Sequence, residues 1–394
     1  MKSSIEVADI FRSHGSAYRE AFGSRLARRD FRAMRAIEIC RTSELGGHVD
    51  ECDSCGAVRI SYNSCRNRHC PKCQSLDKER WLEARKRDVL PVQYFHVVFT
   101  IPEQLWPVAL RNRKVVYGIL FRGVSETLKE LAEDLKHLGA EIGFIAILHT
   151  WSQILLHHPH IHCLVPGGGL ALDGKKWIGC KEDFFIRVEI LSRLFRGKFL
   201  HHLKEAYDSG ALEFPGKIEE LKSKRAFGKL CTDLYGKEWV VNSKPAFKSA
   251  ESVMEYLGRY THRVAITNDR IVRVEGDQVV FKYRDRADDD RIKLMPVDAL
   301  EFIRRFLLHV LPDGFMKIRH YGILSNRNRK DKLLLSKRLL GDPIKDNGNC
   351  EERESWEELL FRITGLDLKV CPNCGKGNMV LREKLRPRGG RHPP

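Results

Sequence analysis

Long apolar runs are missing from this chain of 394 residues. No stretch approaches the roughly 18 consecutive apolar residues that a membrane helix needs, and the opening "MKSSIEVADIFRSHGS" lacks the apolar segment of a signal peptide. No internal repeat is found either. These absences exclude a membrane protein and a repeat array, and they predict a soluble globular protein of the cytoplasm.

Disulfides are not expected, because a chain without an export signal folds in a reducing compartment. The sequence nevertheless has 12 cysteines, and their spacing indicates a use for them. Cys52 and Cys55 form one Cys-x2-Cys pair, and Cys70 and Cys73 form a second pair after fourteen intervening residues. Two such knuckles can bring four thiolates around one zinc ion. We therefore predict a structural zinc site formed by these four cysteines in a zinc ribbon.

The sequence offers more metal ligands than one zinc site needs. Three further side chains could replace one of the four cysteines or join a second metal ion, namely Cys65, His69 and His48. Far downstream, Cys371 and Cys374 form half of a zinc site, which Cys350 or the ribbon cysteines could complete. The spacing leaves these alternatives open.

Acidic residues are scarce relative to basic ones, with 52 Asp and Glu against 69 Lys and Arg, so the net charge is +17 at pH 7. This balance favours a nucleic-acid partner over a membrane surface. Residues 5–40 predict basic amphipathic helices, whose arginines either contact DNA or only face solvent. The basic segment 317–332 predicts phosphate contacts by Arg319, Arg327 and Arg329 and base stacking by Tyr321.

The segment "HHPHIHCLVPGGG" (157–169) is unusually rich in histidine. It reads as a strand entered through a hairpin turn, and residues two apart in a strand share one face. His160 and His162 therefore present two imidazoles side by side while Ile161 faces the core. A pair of this kind can chelate a catalytic metal ion.

Two imidazoles do not complete a metal site. Gln153, just across the hairpin turn, is the predicted third ligand, and His149 and His96 are alternatives. His157 and His158 fall in the predicted turn, where we expect exposure to solvent.

The segment "YLGRYTHR" contains two tyrosines four residues apart in a predicted helix, so both hydroxyls leave the same face. Such a pair can simply pack into a core. It can also act as a nucleophile, because a tyrosine hydroxyl attacks a DNA phosphodiester when a metal ion polarises the phosphate and cations hold it. From this segment alone packing is favoured; with a metal ion at the histidine pair, Tyr256 and Tyr260 could attack while Arg259 and Arg263 hold phosphate.

The combination of "FTIP", "HPHIHCLVPGG", "YLGRYTHRVAIT", "SCRNRHCPKCQ" and the distal "CPNCG" resembles the HUH-type, two-tyrosine rolling-circle transposases of bacterial insertion sequences, family ninety-one in the insertion-sequence scheme. The likeness covers most of the chain. It implies an α+β fold, in which an antiparallel sheet is flanked by helices. By the same resemblance, His160 and His162 are the metal pair on one strand, and Tyr256 and Tyr260 are the nucleophiles on a facing helix. An N-terminal zinc ribbon with basic helices precedes this HUH nuclease core.

The resemblance implies three successive domains. Residues 1–91 would hold the basic helices and the zinc ribbon, residues 92–330 the HUH nuclease, and residues 331–394 a basic module with the last Cys-x2-Cys pair and a disordered tail.

The resemblance also implies a metal-dependent DNA endonuclease and strand transferase of the bacterial cytoplasm. Such an enzyme nicks and rejoins single-stranded insertion-sequence ends and target DNA through a covalent phosphotyrosine, with Mg²⁺ or Mn²⁺ at the histidines and structural Zn²⁺ at the cysteines. Related initiators carry Tyr-x-x-Lys; arginine in that place cannot donate a proton, so Arg259 and Arg263 would only bind phosphate. The alternatives are a replication initiator or relaxase with the same core, or an inactive zinc-ribbon regulator. The oligomeric state stays open.

Overall fold

The computed structural model describes residues 5–247, 250–261, 264–342 and 354–388. The helices in these residues are α1 Val7–Phe22, α2 Arg28–Glu38, α3 Gln74–Lys86, α4 Trp106–Arg111, α5 Arg113–Glu133, α6 Val188–Asp208, α7 Lys224–Tyr235, α8 Ala250–Tyr260, α9 Ala299–Leu307, α10 Arg329–Leu339 and α11 Trp356–Thr364. The strands are β1 Gly47–Cys52, β2 Val58–Tyr62, β3 Tyr94–Thr100, β4 Ala140–Glu141, β5 Gly143–Trp151, β6 His157–Pro166, β7 Gly168–Ala171, β8 Trp177–Gly179, β9 Val241–Phe247, β10 Ile271–Glu275, β11 Gln278–Asp285, β12 Arg291–Asp298, β13 Ile318–Gly322 and β14 Met379–Leu385. The predicted α+β class is confirmed.

The chain forms two compact units, each assembled from separate segments. The cysteine-rich unit comprises Met1–Arg80, His262–Val310 and Asp346–Pro394. The sheet unit comprises Trp81–Thr261 and Leu311–Lys345. The boundary between Arg80 and Trp81 falls inside α3.

The cysteine-rich unit contains two small antiparallel sheets. One has the strand order β14-β1-β2, and the other is the meander β10-β11-β12. Apolar positions of α1 face α9, where the rings of Phe11 and Phe306 meet edge to face with centroids 5.2 Å apart. Asp298 caps α9 by accepting hydrogen bonds from the first backbone N–H groups of that helix. The predicted basic amphipathic helices are present as α1 and α2.

The sheet unit is organised around a five-stranded sheet with the order β13-β5-β6-β3-β9, in which every neighbouring pair is antiparallel. One face packs on α5 and α6. Ile161 is fully buried on this face together with Phe99 and Phe144, and Tyr117 and Phe195 come from the two helices. Strand alternation therefore turns Ile161 into the core, as predicted, and leaves its neighbours for the opposite face.

Helix α8 packs against that opposite face of the sheet. Val253 and Leu257 of α8 join a buried apolar cluster with Ile145, Ile147 and Leu164. The strand partners Ile145 and Leu164 lie directly across from each other on β5 and β6. This packing fixes the helix that carries the predicted tyrosines over the strands that carry the histidines.

The three successive domains predicted from the sequence do not coincide with these units. The predicted nuclease segment 92–330 contributes residues 262–310 to the cysteine-rich unit, and the predicted C-terminal module divides between both units. Two pairings explain the difference. Strand β14 hydrogen-bonds to β1, whereas Lys332 of α10 forms an ion pair with Glu141 at 2.5 Å. Local sequence patterns cannot reveal partners that lie so far apart in the chain.

Among the described residues, no helix is long and apolar enough to cross a membrane. This agrees with the absence of long apolar runs in the sequence.

Because of one half-buried histidine of β13, we expect the stability of the sheet unit to depend on pH. Burial lowers the pKa of His320 from 6.5 to about 4, and the nearby positive charges of Arg85 and Arg329 lower it further in the same direction. Because the folded-state pKa is depressed, full stability is present above about pH 6.5 and is lost as the pH falls toward 4. A shift of this size corresponds to about 3 kcal/mol.

We expect His320→Leu to remove this acid sensitivity, because leucine has no proton to take up. Urea unfolding at pH 7.0 and pH 4.5 would measure it: the wild type should lose about 2–3 kcal/mol more of its unfolding free energy than the variant does. Equal losses in the two proteins would contradict His320 as the origin of this acid sensitivity. His137→Leu, at an exposed position of the same unit, is the matched control.

Candidate active site

Three histidines meet on the face of the sheet that α8 covers. His149 of β5 lies opposite His160 of β6, and Ile147 lies opposite His162, so alternation directs all three imidazoles to one side. One ligand nitrogen from each histidine lies within 4.8 Å of the others. His149 and His162 are buried, and His160 is half-buried. The predicted pair is therefore adjacent on one strand face, and His149 joins it.

Gln153, the predicted third ligand, lies in the turn between β5 and β6 and is half-buried. Its role as a ligand stays a prediction. His149 is the third side chain that the strand register brings to the pair, and the sequence analysis named it only as an alternative. Imidazole nitrogens at this separation can share one divalent ion such as Mn²⁺.

Hydrogen bonds fix the orientation of two of these rings. His160 Nδ1 lies 2.6 Å from the carbonyl oxygen of His158, to which it donates. His162 Nδ1 lies 2.8 Å from Nε2 of His96, on the neighbouring strand β3. With Nδ1 engaged in each ring, Nε2 is the nitrogen that a metal ion would take. The donor set therefore fits a metal ion.

One of the two predicted nucleophiles lies beside this cluster. The ring of Tyr256 contacts the ring of His96, with centroids 4.7 Å apart, and 5% of the residue is exposed. Tyr260 is the last residue of α8, and its side chain and that of Arg259 lie outside the described residues. Arg263 lies outside them entirely. The contact between Tyr256 and His96 links the helix to the histidine cluster.

His157 does not lie in an exposed turn, and this prediction was wrong. It is the first residue of β6, it is 7% exposed, and its Nε2 lies 2.8 Å from the hydroxyl oxygen of Tyr117 on α5. The strand begins earlier than the sequence suggested. Because side chains alternate along a strand, His157 faces the core, whereas the half-buried His158 faces the side of the histidine cluster.

Strand β13 carries two of the residues that we predicted to bind DNA, and it directs both away from the histidines. Arg319 lies with its guanidinium over the ring of Phe121, 4.1 Å from the centroid, and Tyr321 stacks on Phe144 at 5.0 Å. Both therefore lie on the face that α5 covers, and burial raises the pKa of Tyr321. The predicted base stacking by Tyr321 is corrected to core packing.

The other two residues of that prediction lie just beyond β13. Arg327 is exposed in the turn before α10, where contact with phosphate stays a prediction. Arg329 begins α10 and lies 3.5 Å from the carboxylate of Asp88.

Eight cysteines of the cysteine-rich unit form two groups of four. The first group is Cys40, Cys65, Cys70 and Cys73, and the second is Cys52, Cys55, Cys371 and Cys374. Within each group the four sulfur atoms lie within 4.8 Å of one another. The predicted single site of Cys52, Cys55, Cys70 and Cys73 is therefore wrong, because β1 and β2 separate the two knuckles. His48 and His69 belong to neither group among the described residues.

The first group has the features of a structural zinc site. Cys73 Sγ lies 3.5 Å from the sulfurs of both Cys40 and Cys65, close to the roughly 3.8 Å edge of a tetrahedron with Zn–S bonds of about 2.3 Å. Hydrogen bonds from the other three thiols hold the pKa of Cys73 well below its usual range, and the one from Cys40 has the largest effect. Cys40 was missed because it stands alone after α2, outside any Cys-x2-Cys pair.

Two family models match the chain, and each matched segment includes residues of both units. Residues 10–101 match a family model described as "Transposase zinc-binding domain" of the IS91 type, and residues 143–332 match one described as "Putative transposase". A relative from Sinorhizobium fredii, named "Putative transposase y4qJ", is 52% identical over 382 residues, which cover 97% of this chain and 96% of the relative. The chain belongs to the IS91 family of transposases.

A second relative of this transposase is more distant. The "Transposase for insertion sequence element IS801" of Pseudomonas savastanoi pv. phaseolicola is 27% identical over 305 residues, which cover 75% of this chain and 72% of the relative. No solved structure matches the chain. The matched segment 143–332 contains all three clustered histidines and Tyr256, and the matched segment 10–101 contains the first cysteine group.

Proposed function

We propose that this transposase nicks and rejoins single-stranded DNA at insertion-sequence ends through a covalent phosphotyrosine intermediate, as in rolling-circle transposition. The observation that carries the proposal is the contact between Tyr256 and His96, whose Nε2 lies 2.8 Å from His162. A tyrosine on a helix is thereby held beside a histidine cluster that fits a divalent metal ion. A phosphodiester bound between them would meet a nucleophile and a source of positive charge together.

His149, His160 and His162 would hold the catalytic cation, and Gln153 would add an oxygen ligand. Mg²⁺ or Mn²⁺ bound there would polarise the scissile phosphate. Imidazole nitrogens suit Mn²⁺ better than Mg²⁺, which prefers oxygen ligands. We therefore expect Mn²⁺ to support the reaction at lower concentration than Mg²⁺.

The chemical step exchanges one phosphodiester for another. The hydroxyl oxygen of Tyr256 attacks the phosphorus and loses its proton to solvent, while the bond between phosphorus and O3′ of the departing strand breaks. The departing O3′ takes up a proton and becomes a 3′ hydroxyl, and the 5′ phosphate stays attached to tyrosine. Attack by a 3′ hydroxyl reverses the step and joins strands. Tyr260 would serve a second strand in the same way.

Access to Tyr256 favours single-stranded DNA as the substrate. Because only 5% of Tyr256 is exposed, α8 must shift away from the sheet before a phosphodiester can enter. A single strand can be threaded into so narrow a space, whereas a duplex holds its phosphates on the outside of a wide, stiff helix.

Basic residues of the cysteine-rich unit support DNA binding. Arg28, Arg32 and Arg35 are exposed along one side of α2, whereas Met34 and Ile37 are buried on the other. A row of guanidinium groups at this spacing can contact successive phosphates. With a net charge of +17, we expect the affinity for DNA to fall steeply as salt is raised.

The deciding experiment is a search for a covalent adduct. Single strands covering the two flanks of the gene, labelled at the 3′ end, are incubated with the protein and Mn²⁺ and run on a denaturing gel. The proposal expects label that moves with the protein and disappears when EDTA is added first. DNA binding without any adduct would favour the inactive-regulator alternative. Cutting without an adduct would indicate water as the nucleophile.

We expect His96 to act as a positioning residue for adduct formation. Its Nε2 lies 2.8 Å from His162 Nδ1 and its ring contacts Tyr256, so it orients a metal ligand and the nucleophile together. We expect His96→Ala to lower the rate of adduct formation about 10- to 100-fold and to raise the Mn²⁺ concentration that gives half-maximal rate.

The conservative variant His96→Gln should restore part of the rate, because its amide oxygen can accept the same hydrogen bond. His137→Ala, at an exposed position, serves as the control. An unchanged Mn²⁺ requirement in His96→Ala would contradict the positioning role even if the rate fell.

A further inference from the structure

We propose that a second zinc ion is bound by Cys52, Cys55, Cys371 and Cys374. This ion completes the zinc-binding domain with residues from near the C-terminal end of the sequence. The family match for that domain covers residues 10–101 and contains only half of these ligands. The other half comes from the segment between α11 and β14. This inference does not depend on the proposed DNA chemistry.

The sulfur positions fit a single tetrahedral ion. Cys52 Sγ lies 3.7 Å from Cys374 Sγ, and Cys55 Sγ lies 3.7 Å from Cys371 Sγ. Four thiolates around zinc at about 2.3 Å stand about 3.8 Å apart. A disulfide requires sulfurs about 2.05 Å apart, so neither pair has the geometry of one. Closed sites of four cysteines are typical of structural zinc.

The two halves of the site repeat the same turn. In each half, a glycine follows the second cysteine and adopts a left-handed conformation, with φ of +70° at Gly56 and +67° at Gly375. The N–H of Gly56 donates to the carbonyl of Cys52 at 3.1 Å, and the N–H of Gly375 donates to that of Cys371 at 2.9 Å. Two matched knuckles facing each other are the arrangement that a zinc ribbon needs.

Backbone donors surround the sulfurs as they would surround thiolates. Ser54 N and Gly377 N lie 3.4 Å from the sulfurs of Cys52 and Cys374, respectively. N–H groups aimed at sulfur stabilise negative charge, and the thiolate is the form that binds metal. The orientation of these donors therefore favours a bound cation over four neutral thiols.

The surrounding backbone holds the two knuckles together. Cys52 pairs with Met379 in the ladder between β1 and β14, and Asp53 N donates to Asn378 O at 3.1 Å. In return, Asn378 N donates to the Asp53 carboxylate at 2.8 Å. A Cβ atom at Gly377 would lie 2.4 Å from Cys52 Sγ, so only glycine fits there.

The test is the zinc content of the purified full-length protein, measured by mass spectrometry of the metals and by chelator release. We expect two zinc ions per chain in the wild type and one in the double variant Cys371→Ser with Cys374→Ser. Gly377→Ala should weaken the second site while keeping all its ligands. Cys180→Ser, a half-buried cysteine of the sheet unit outside both groups, is the control and should keep two.

A second readout covers the case in which the double variant fails to fold. Cobalt replaces zinc in thiolate sites, and its charge-transfer absorption in the near ultraviolet grows with the number of bound thiolates. The wild type should therefore show about twice the absorbance per chain of Gly377→Ala. One zinc per chain in the wild type would overturn the proposal, as would two in the double variant. Neither outcome would bear on adduct formation, which tests the proposed function separately.

Discussion

Replacing both tyrosines of α8, Tyr256→Phe with Tyr260→Phe, is expected to abolish the covalent adduct between protein and DNA. Phenylalanine keeps the ring that packs against His96 but has no hydroxyl oxygen to attack phosphorus. Loss of a covalent nucleophile lowers enzymatic rates by on the order of 10⁴-fold or more. The measurement is the amount of 3′-labelled DNA that moves with the protein on a denaturing gel.

The single variants divide the work between the two tyrosines. If Tyr256 attacks the insertion-sequence end that is cut first, Tyr256→Phe alone should remove the adduct at that end. Tyr260→Phe should leave that adduct in place. Tyr235→Phe, at an exposed position of the same unit, should leave adduct formation at both ends unchanged. An adduct that persists in the double variant would refute the assignment of both nucleophiles.

Replacing His160 with alanine is expected to lower cleavage by about 10³-fold. His160 supplies one of three imidazoles whose ligand nitrogens lie within 4.8 Å of one another, and a pair would bind the cation weakly. Losing several kcal/mol of charge stabilisation at the phosphate corresponds to this factor. The rate of adduct formation across a Mn²⁺ titration measures it, and high Mn²⁺ should recover part of the rate.

Two controls separate a metal-ligand role from a folding defect. The zinc content of His160→Ala should equal that of the wild type, because both cysteine groups lie in the other unit. Its urea unfolding curve should also stay close to that of the wild type, since His160 is half-buried. A His160→Ala protein that cuts at the wild-type rate at every Mn²⁺ concentration would exclude the histidine cluster as the metal site.

The strand period explains which parts of the site the sequence could predict. His160, Ile161 and His162 alternate, and this alternation alone assigned two side chains to one face and the third to the core. The spacing of Tyr256 and Tyr260 likewise predicted both on one side of a helix, and the structure describes the side chain of Tyr256 there. These are local patterns, so the sequence carries them without reference to any distant partner.

Partners distant in sequence could not be predicted in the same way. Cys52 and Cys70 looked like members of one site because both begin a Cys-x2-Cys pair, yet each completes a different group. The choice depends on β1 pairing with β14 and on the end of α2 bringing in Cys40, and neither contact has a local signature. His149 was uncertain for a related reason, since its position depends on the register between β5 and β6.

The basic composition of segment 317–332 did not reveal where its side chains lie. Arg319 and Tyr321 lie in a strongly basic segment, which suggested contact with DNA. Their strand instead adds to the edge of the sheet beside β5 and alternates, so both side chains reach the side covered by α5. A charge count cannot distinguish the two faces of a strand.

The pairing of Cys52 and Cys55 with Cys371 and Cys374 also imposes an order on biosynthesis. A ribosome makes the first knuckle early and the second only after it has completed all the residues that we assign to catalysis. Any nonsense or frameshift mutation between residues 333 and 370 therefore yields a product with every predicted catalytic residue but half of this cysteine group. Such a product would keep Cys52 and Cys55 without the two cysteines that complete their group.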